Sequence, residues 1–270
     1  MAVAALHIPV PASTIPVFEA RGLTLDYASA RGTVRAVDGV DLRIGKGERL
    51  VLLGPSGCGK SSILKAAAGF LTPAGGDIRL RDRPITGPGP DRMVVFQEFD
   101  QLLPWKTVLD NVAFPLRVAR GISRSEARER AREALMRVGL SRALDQYPHA
   151  LSGGMKQRAA IARALAAEPE ILLMDEPFAA LDALTRLQMQ RDLIAVADEI
   201  GMTLLFVTHA IDEAVLVGTR LHLLSAHPGR TLATFETADL GVDDVGSRRF
   251  EQVTREVHHL LFGSARERAA

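Results

Sequence analysis

The sequence predicts an α/β fold, and three observations support this prediction. Short apolar runs typical of buried parallel strands occur at 49–53, 171–174 and 202–208. Segments rich in helix formers alternate with these runs, as in strand–helix–strand units. The stretch from about 100 to 165 is instead mainly helical. We therefore expect one α/β domain with a helical lobe inserted into it.

A glycine-rich turn follows the first apolar run. Residues 54–61, GPSGCGKS, have the spacing G-x-x-x-x-G-K-[ST] of a phosphate-binding loop, and a helix-forming segment follows at 62–68. Such glycines permit a tight loop whose amides point at phosphates. Lys60 would reach the β- and γ-phosphates, and the Ser61 hydroxyl would ligate Mg²⁺. A plain glycine turn is the weaker interpretation, because a chance match has a probability of about one in a hundred.

A second glycine-rich segment, LSGGMKQR at 151–158, opens another predicted helix. Ser152 is a good N-cap, and Gly153 and Gly154 allow the backbone to approach a ligand closely. The start of such a helix directs unpaired amides and positive dipole at an anion such as phosphate. Taken alone, the segment is explained equally well as an ordinary capped helix with a glycine turn.

Two carboxylates follow the apolar run at 171–174. Asp175 and Glu176 stand at the C-terminal end of this predicted strand, where open α/β sheets bind ligands. We predict that Asp175 holds Mg²⁺, directly or through water, and that Glu176 acts as general base on the attacking water. Paired acids after a strand can also simply cap a helix, but a phosphate loop upstream requires a Mg²⁺ partner.

The run at 202–208 ends at His209. A lone histidine is more often a surface or core residue than a catalytic one. At the end of a strand in this sheet, however, it is well placed to contact a γ-phosphate, and we favour that interpretation.

In this order the motifs resemble the nucleotide-binding subunit of ABC transporters, over about residues 18–230. The resemblance implies a P-loop NTPase (RecA-like) core with an N-terminal antiparallel β-subdomain and an inserted α-helical subdomain. The expected organisation is a loose N-terminal arm at 1–17, a core at 18–99 and 166–230, a helical subdomain at 100–165, and a short C-terminal extension at 231–270 with a helix near 248–262.

The resemblance also implies ATP and Mg²⁺ as ligands and assigns roles to individual residues. The expected ATP-binding residues are Tyr27, Gly54, Pro55, Ser56, Gly57, Cys58, Gly59, Lys60, Ser61, Ser62, Ser152, Gly153, Gly154 and Asp182. The expected catalytic residues are Lys60, Gln97, Glu176 and His209, and the expected Mg²⁺ ligands are Ser61, Gln97 and Asp175. Tyr27 would stack on adenine, although an aromatic residue beside a strand more commonly just packs.

In ABC proteins the LSGG segment caps the γ-phosphate bound to a second subunit. The resemblance therefore implies a homodimer, or paired ATPase subunits, in which Ser152 and Gly154 act in trans. ATP would close the dimer and hydrolysis would open it, as in other switches that depend on a terminal phosphate. Gln97 would report the nucleotide state to membrane subunits.

Composition narrows the possible partners. There are 33 basic and 32 acidic residues, a net charge of +1, so nothing predicts nucleic-acid binding. The arginine-rich stretch 124–137 is better explained as an amphipathic helix with a solvated basic face and a possible capping box of Ser123 and Glu126. Its apolar stripe would be Ala127, Ala131, Leu135 and Val138. The single cysteine, Cys58, excludes an internal disulfide and fits a reducing cytosol.

No apolar stretch reaches the roughly 18 residues of a spanning helix, and no secretory leader is recognisable. We therefore expect a peripheral subunit on the cytoplasmic face of the bacterial inner membrane, with integral membrane permease subunits as separate chains. The stretches 87–116, 175–190 and 225–230 resemble the nitrate/sulfonate/taurine importer ATPases. That family serves bacterial importers of small anionic or zwitterionic solutes that depend on a periplasmic solute-binding protein.

The segment LLPWKTVLDNV contains the only tryptophan, Trp105. By the same resemblance it would line the groove for a coupling helix of the membrane subunit, and the alternative is that Trp105 belongs to the core of the lobe. Ala179 and Ala210 depart from the most common family pattern, which leaves the solute open.

Three rival functions fit the sequence less well. A soluble ABC ATPase of DNA repair or of the ribosome would carry a long coiled coil or a tandem domain, and neither is present in the sequence. An exporter subunit would generally lack the LLPW and DEPFAALDALTR segments. A non-catalytic nucleotide-binding regulator would be expected to have lost Glu176 or His209.

Overall fold

The computed structural model describes residues 15–29 and 32–263. Their backbone forms two compact units: the first unit runs up to Pro88 and resumes at Gly201, and the second unit is Gly89–Ile200. Of the loose arm predicted for residues 1–17, only 15–17 are described, and residues 264–270 of the tail also lie outside the described residues.

The strands are β1 (Phe18–Ser29), β2 (Gly32–Ile44), β3 (Arg49–Leu53), β4 (Gly75–Leu80), β5 (Arg83–Pro84), β6 (Arg92–Val95), β7 (Ile171–Asp175), β8 (Leu204–Thr208), β9 (Arg220–Leu224) and β10 (Thr231–Glu236). The α-helices are α1 (Lys60–Ala67), α2 (Val108–Arg120), α3 (Arg124–Arg137), α4 (Gly153–Ala166), α5 (Ala183–Ile200), α6 (Ile211–Val217) and α7 (Arg248–His258). Short helical turns lie at Phe99–Gln101, Pro148–Ala150, Val242–Asp244 and His259–Gly263.

An antiparallel sheet with strand order β2-β1-β4-β5 begins the first unit. Phe18 of β1 is opposite Ile44 of β2 on one side and Leu80 of β4 on the other. All three side chains are almost completely buried, and each such burial stabilises the fold by roughly 1.5–3 kcal/mol. The predicted N-terminal antiparallel sheet is therefore confirmed.

The first unit also contains a parallel arrangement around β3. This strand pairs in parallel with β8 and β9, and β10 runs antiparallel to β9. Every residue of β3, β8 and β9 is buried. Burial on both faces explains the continuous apolar runs at 50–53 in β3 and 204–207 in β8.

The predicted strand at 202–208 is two residues too long, because β8 begins at Leu204. Thr203 is buried, and its Oγ1 accepts a hydrogen bond from the Gly47 backbone N–H at 3.0 Å. Thr203 therefore holds the chain just before β8 through a side-chain hydrogen bond and is not part of the strand.

The second unit carries the parallel pair β6–β7 and the helices α2 to α5. Helix α3 has the predicted bounds, and its stripe of Ala127, Ala131, Leu135 and Val138 is buried. The Ser123 side chain accepts from the Glu126 N–H at 3.3 Å, as expected for an N-cap. Among the described residues, none of the helices has both the length and the hydrophobicity needed to cross a membrane.

Candidate functional site

The glycine-rich loop connects β3 to α1 within the first unit. Gly57 and Gly59 have φ angles of 78° and 92°, in the left-handed region that favours glycine. A Cβ on Gly59 would lie 2.4 Å from Val37 Cγ2 and 2.8 Å from the Ala36 carbonyl oxygen. Gly59 is therefore required both by its backbone conformation and by its close contact with β2.

Lys60 is buried inside the curve of this loop. Its Nζ donates hydrogen bonds to the carbonyl oxygens of Gly54 at 2.8 Å and Pro55 at 3.0 Å. Helix α1 starts here with Gly59 as an N-cap that makes no side-chain hydrogen bond, and its first turn contains no acid. The loop thus presents a lysine ammonium and the positive end of a helix dipole, an arrangement that fits a phosphate group.

Cys58 occupies the same loop and is fully buried. Burial raises the pKa of the Cys58 thiol, while the Lys60 ammonium, with Nζ 3.7 Å from Sγ, opposes that shift. The side chain is therefore a small protonated thiol packed beneath the loop at neutral pH.

Two more predicted residues belong to the first unit. The Tyr27 hydroxyl donates to Ser62 Oγ at 3.0 Å, and the residue is 38% exposed, so its ring is not simply part of the core.

His209 is exposed and follows Thr208, which is opposite Leu53 in the β3–β8 register. Since the phosphate loop begins directly after Leu53, His209 and this loop leave the same carboxyl edge of the sheet.

In the second unit, three of the predicted site residues lie at the carboxyl ends of the neighbouring strands β6 and β7. Val95 is opposite Met174 in the β6–β7 register, so Gln97 and the Asp175–Glu176 pair leave adjacent strands at their carboxyl ends. Gln97 is exposed, and the two acids are half-buried. The structure thus brings the two carboxylates and the glutamine to one edge, where oxygen ligands of the kind that Mg²⁺ prefers are available.

Glu176 has a left-handed backbone conformation, with φ 46°. A side chain in this region costs roughly 1–2 kcal/mol, and such residues cluster at functional sites. The Glu176 carbonyl oxygen accepts from the Ala179 N–H at 3.2 Å, which holds the turn after β7.

Ser152 begins α4 as its N-cap and accepts a hydrogen bond from the Met155 N–H at 3.3 Å. Ser152 is exposed, and the first turn of the helix carries no acid. A Cβ on Gly154 would lie 3.0 Å from Thr185 Cγ2. The helix start is therefore available to an anion, and Gly154 is also required for packing against α5.

Comparison with known proteins identifies the family. Residues 37–179 match the family model described as ABC transporter. A Brucella abortus chain named as an ATP-binding protein is 53% identical over 199 residues, which are 74% of this chain and 76% of that one. The taurine import ATP-binding protein TauB of Rhizobium johnstonii is 51% identical over 204 residues, 76% and 77% of the two chains.

The chain belongs to the ABC transporter family.

Solved structures agree with this assignment. A dimeric bacterial ABC transporter cassette has a TM-score of 0.72 and 34% identity to this chain, covering 82% of this chain and 98% of the cassette. A second structure of that cassette, in a post-hydrolysis state bound to ADP and Pi, has a TM-score of 0.71 and 32% identity over the same shares. The P-loop NTPase fold is thereby confirmed, and the chain is an ABC-type ATPase that binds and hydrolyses ATP. The roles assigned to individual residues stay predictions.

Asp182, one of the residues expected to bind ATP, caps the start of α5. Its Oδ1 accepts from the Thr185 N–H at 3.0 Å at the start of α5, and this bond lowers the pKa of the Asp182 carboxyl. Asp182 is exposed.

Arg186 was missed by the sequence analysis. Its guanidinium donates to the carbonyl oxygens of Phe178 at 3.2 Å and Leu181 at 2.8 Å. These bonds hold the loop between Glu176 and Asp182. Arg186 lies in the segment DEPFAALDALTR, but an arginine in a helix pattern gives no sign that it reaches back to carbonyl groups.

Gln101 was also missed. Its side chain bonds both the N–H and the carbonyl of Phe96, at 3.2 and 2.8 Å, and lies 3.3 Å from the buried Gln157 of α4. These contacts connect the chain on either side of Gln97 to α4, which we call the signature helix because it begins in the LSGG segment. Trp105 is 70% exposed, so its assignment to the core of the lobe is wrong.

Proposed function

We propose that this ABC ATPase is the energy-supplying subunit of a bacterial importer for a small anionic or zwitterionic solute. The observation that carries the proposal is the 51% identity to a taurine import ATP-binding protein across 77% of that protein. As in the sequence analysis, its partners would be integral membrane permease subunits and, indirectly, a periplasmic solute-binding protein. Its place would be the cytoplasmic face of the inner membrane.

The phosphates of ATP would lie in the loop that begins at Gly54. Lys60 would exchange its bonds to the loop carbonyls for bonds to the β- and γ-phosphates, since a charged acceptor makes the stronger hydrogen bond. Tyr27 would pack against adenine, and its hydrogen bond to Ser62 ties that ring to the helix that follows the loop. A Mg²⁺ ion held by Ser61, Gln97 and Asp175 would neutralise charge on the phosphates.

Hydrolysis would use the carboxylate after β7. Glu176 would take a proton from the attacking water, which forms the bond to the γ-phosphorus as the bond to ADP breaks. His209 would contact the γ-phosphate oxygens. The rare backbone conformation of Glu176 supports this role, because strained residues of this kind cluster at functional sites.

The second anion site, at Ser152 and Gly154, would act on ATP bound to the other subunit. This proposal is supported by a helix start that has an exposed N-cap and no acid in its first turn. The relative that has been solved as a dimer makes two-subunit assembly the natural expectation. ATP would close this dimer, and loss of the γ-phosphate would release it.

The exposed Trp105 gives the transport proposal its test. Co-expression with the permease chains should allow the complex to be purified from membranes. Trp105→Ala should reduce that recovery while leaving the thermal midpoint unchanged, because the side chain is 70% exposed. The matched control is Met136→Ala on α3, which removes another exposed apolar side chain, 58% exposed. Equal recovery of all three complexes would overturn the role of Trp105 in contacting the permease. If no complex forms with any permease, the alternative of a soluble ABC ATPase is favoured.

A further inference from the structure

The turn between β9 and β10, residues 228–230 with the sequence PGR, makes a backbone contact with β2 inside the first unit. The Gly229 N–H donates to the Ala36 carbonyl at 2.9 Å, and the Gly229 carbonyl accepts from the Asp38 N–H at 3.0 Å. The two segments run parallel at this bridge, with Val37 opposite Gly229. The turn is thereby joined to the antiparallel sheet.

The same turn touches the phosphate loop. A Cβ on Gly229 would lie 2.0 Å from the Cys58 carbonyl oxygen, which is closer than any side-chain carbon can approach. On the other side of the loop, Gly59 leaves no room for a Cβ against Val37 and Ala36. Three segments, the PGR turn, the middle of β2 and the phosphate loop, thus meet without space for one additional carbon atom.

An ion network extends from the turn towards Tyr27. The Arg230 guanidinium donates to Asp38 Oδ2 from Nε at 2.9 Å and from Nη2 at 2.6 Å. Arg35 donates to the other Asp38 oxygen at 3.1 Å and to Asp26 at 3.0 Å. Asp26 is the neighbour of Tyr27 on β1. The network therefore connects the PGR turn to the strand that carries Tyr27.

We propose that Gly229 and Arg230 are positioning residues of the ATP site. The PGR turn fixes the phosphate loop against β2 and, through the β1–β2 pairing and the ion network, sets the distance between the loop and Tyr27. The proposal rests on the proposed function in one respect, namely that Tyr27 receives the adenine while the loop receives the phosphates.

The contact between the PGR turn and the phosphate loop is expected to raise the affinity for ATP by pre-organising the site. A nucleotide that spans two elements binds tightly when both elements already stand at the right separation, because less ordering then opposes binding. Exposed ion pairs contribute little individually, and Arg230 is 65% exposed. The close approach of Gly229 to Cys58 is therefore expected to contribute more than the charges.

The test compares ATP binding and turnover in the full chain at 25 °C. Gly229→Ala should raise the KM for ATP, and the Kd for a non-hydrolysable ATP analogue, about tenfold, since overpacking must shift the turn or the loop. The kcat should stay within about twofold of the wild-type value, because the substitution removes no group that contacts ATP and saturating ATP supplies the free energy that returns the loop to its place. Gly87→Ala is the matched control: a Cβ there meets nothing within 4 Å.

If Gly229 had only a structural role, the substitution would change the kcat and not the KM. If Gly229→Ala only destabilised the fold, the amount of active protein and the apparent kcat would fall while KM stayed constant, and this result would overturn the proposal. Arg230→Gln provides a second variant, in which the replaced side chain is exposed. Its KM for ATP should rise about threefold, and Arg230→Lys should recover most of the lost affinity. Arg249→Gln, which removes another exposed pair with Asp239 at 3.3 Å, should change nothing.

Tyr27→Ala separates this inference from the proposed function. If Tyr27→Ala weakens binding of the analogue but not of inorganic triphosphate, adenine lies at Tyr27. Unchanged binding by Gly229→Ala would then overturn the positioning role alone. If Tyr27→Ala leaves the affinity for the analogue unchanged, the adenine assignment itself is wrong.

Discussion

At the scale of single residues, Glu176 combines an unfavourable backbone with a defined place in the structure. Glu176 has a φ of 46° and directly follows Asp175, the last residue of β7, and its carbonyl oxygen accepts a hydrogen bond from the Ala179 N–H. A residue in this conformation persists only where its surroundings determine it.

Glu176→Gln tests the role of the carboxylate. The amide has the same size but cannot accept a proton, so ATP binding should persist while phosphate release falls at least about 100-fold. A closed dimer should then accumulate with ATP and elute earlier in size-exclusion chromatography. Normal turnover of this variant would contradict the general-base assignment.

His222 makes stability depend on pH. It is 4% exposed on β9, with Nε2 3.1 Å from Thr231 Oγ1, and burial, followed by the nearby Arg220 charge, lowers its pKa to about 4. The unfolded chain binds this proton with a pKa of about 6.5. The contribution of His222 to the free energy of unfolding should therefore be complete above about pH 6.5. It should be lost as the pH drops towards 4, which lowers the free energy of unfolding by on the order of 3 kcal/mol.

Urea unfolding at a series of pH values between 7.5 and 4.5 measures this effect. His222→Gln keeps a polar partner for Thr231 but does not titrate, so its stability should depend less steeply on pH than that of the wild type. Identical slopes for both proteins would assign the acid sensitivity to other groups.

At the scale of elements, α2 supports the loop that carries Trp105. Asn111 is fully buried, and its Oδ1 accepts from the Leu103 N–H at 2.7 Å. Its Nδ2 donates to the carbonyls of Leu103 at 3.0 Å and Lys106 at 3.1 Å. One side chain thus fixes both ends of the segment, and Trp105 is held outward on an ordered loop.

Asn111→Ala should lower the free energy of unfolding by about 2–3 kcal/mol, because it removes a fully buried amide and the hydrogen bonds that it makes to the half-buried backbone of this loop. Urea unfolding measures the loss, and hydrogen exchange at the Leu103 amide should accelerate. Gln188→Ala, which removes only an exposed bond to Asp192 at 2.8 Å, should stay within about 0.5 kcal/mol of wild type. Equal effects of the two substitutions would contradict the role given to Asn111.

Sequence patterns predict the elements where local chemistry dominates. The strand β3 and the helix α3 have the predicted bounds, since a buried apolar run and an apolar stripe are both visible along the chain. The start of β8 was placed wrongly because Thr203 suits a strand, yet its hydroxyl bonds Gly47, which is 156 residues away in sequence. Contacts over such separations leave no local pattern.

At the scale of the whole molecule, the contacts that position the site also join residues that are far apart in the sequence, and sequence patterns do not predict them. Order and spacing predict the residues of the phosphate loop, the signature helix and the β7 carboxylates, and family membership is confirmed. The sequence does not reveal that Gly229 abuts Cys58, because the fold alone brings residues 171 positions apart together. Nor does it reveal Arg186 or Gln101, whose bonds go to backbone groups.

Under the proposed function, this ABC ATPase would hydrolyse ATP only between two subunits, with Ser152 acting in trans. Ser152→Arg should retain ATP binding by the monomer and lose hydrolysis, because a bulky cation replaces the helix cap that would face the partner's γ-phosphate. Glu176→Gln should lose hydrolysis for a different reason.

The direct test mixes these two inactive variants and measures phosphate release. In a mixed dimer, one site combines the intact Glu176 of one subunit with the intact Ser152 of the other. Activity should return to about a quarter of the wild-type rate, since half of randomly paired dimers are mixed and each has one complete site. A mixture that remains as inactive as each variant alone would contradict the trans arrangement.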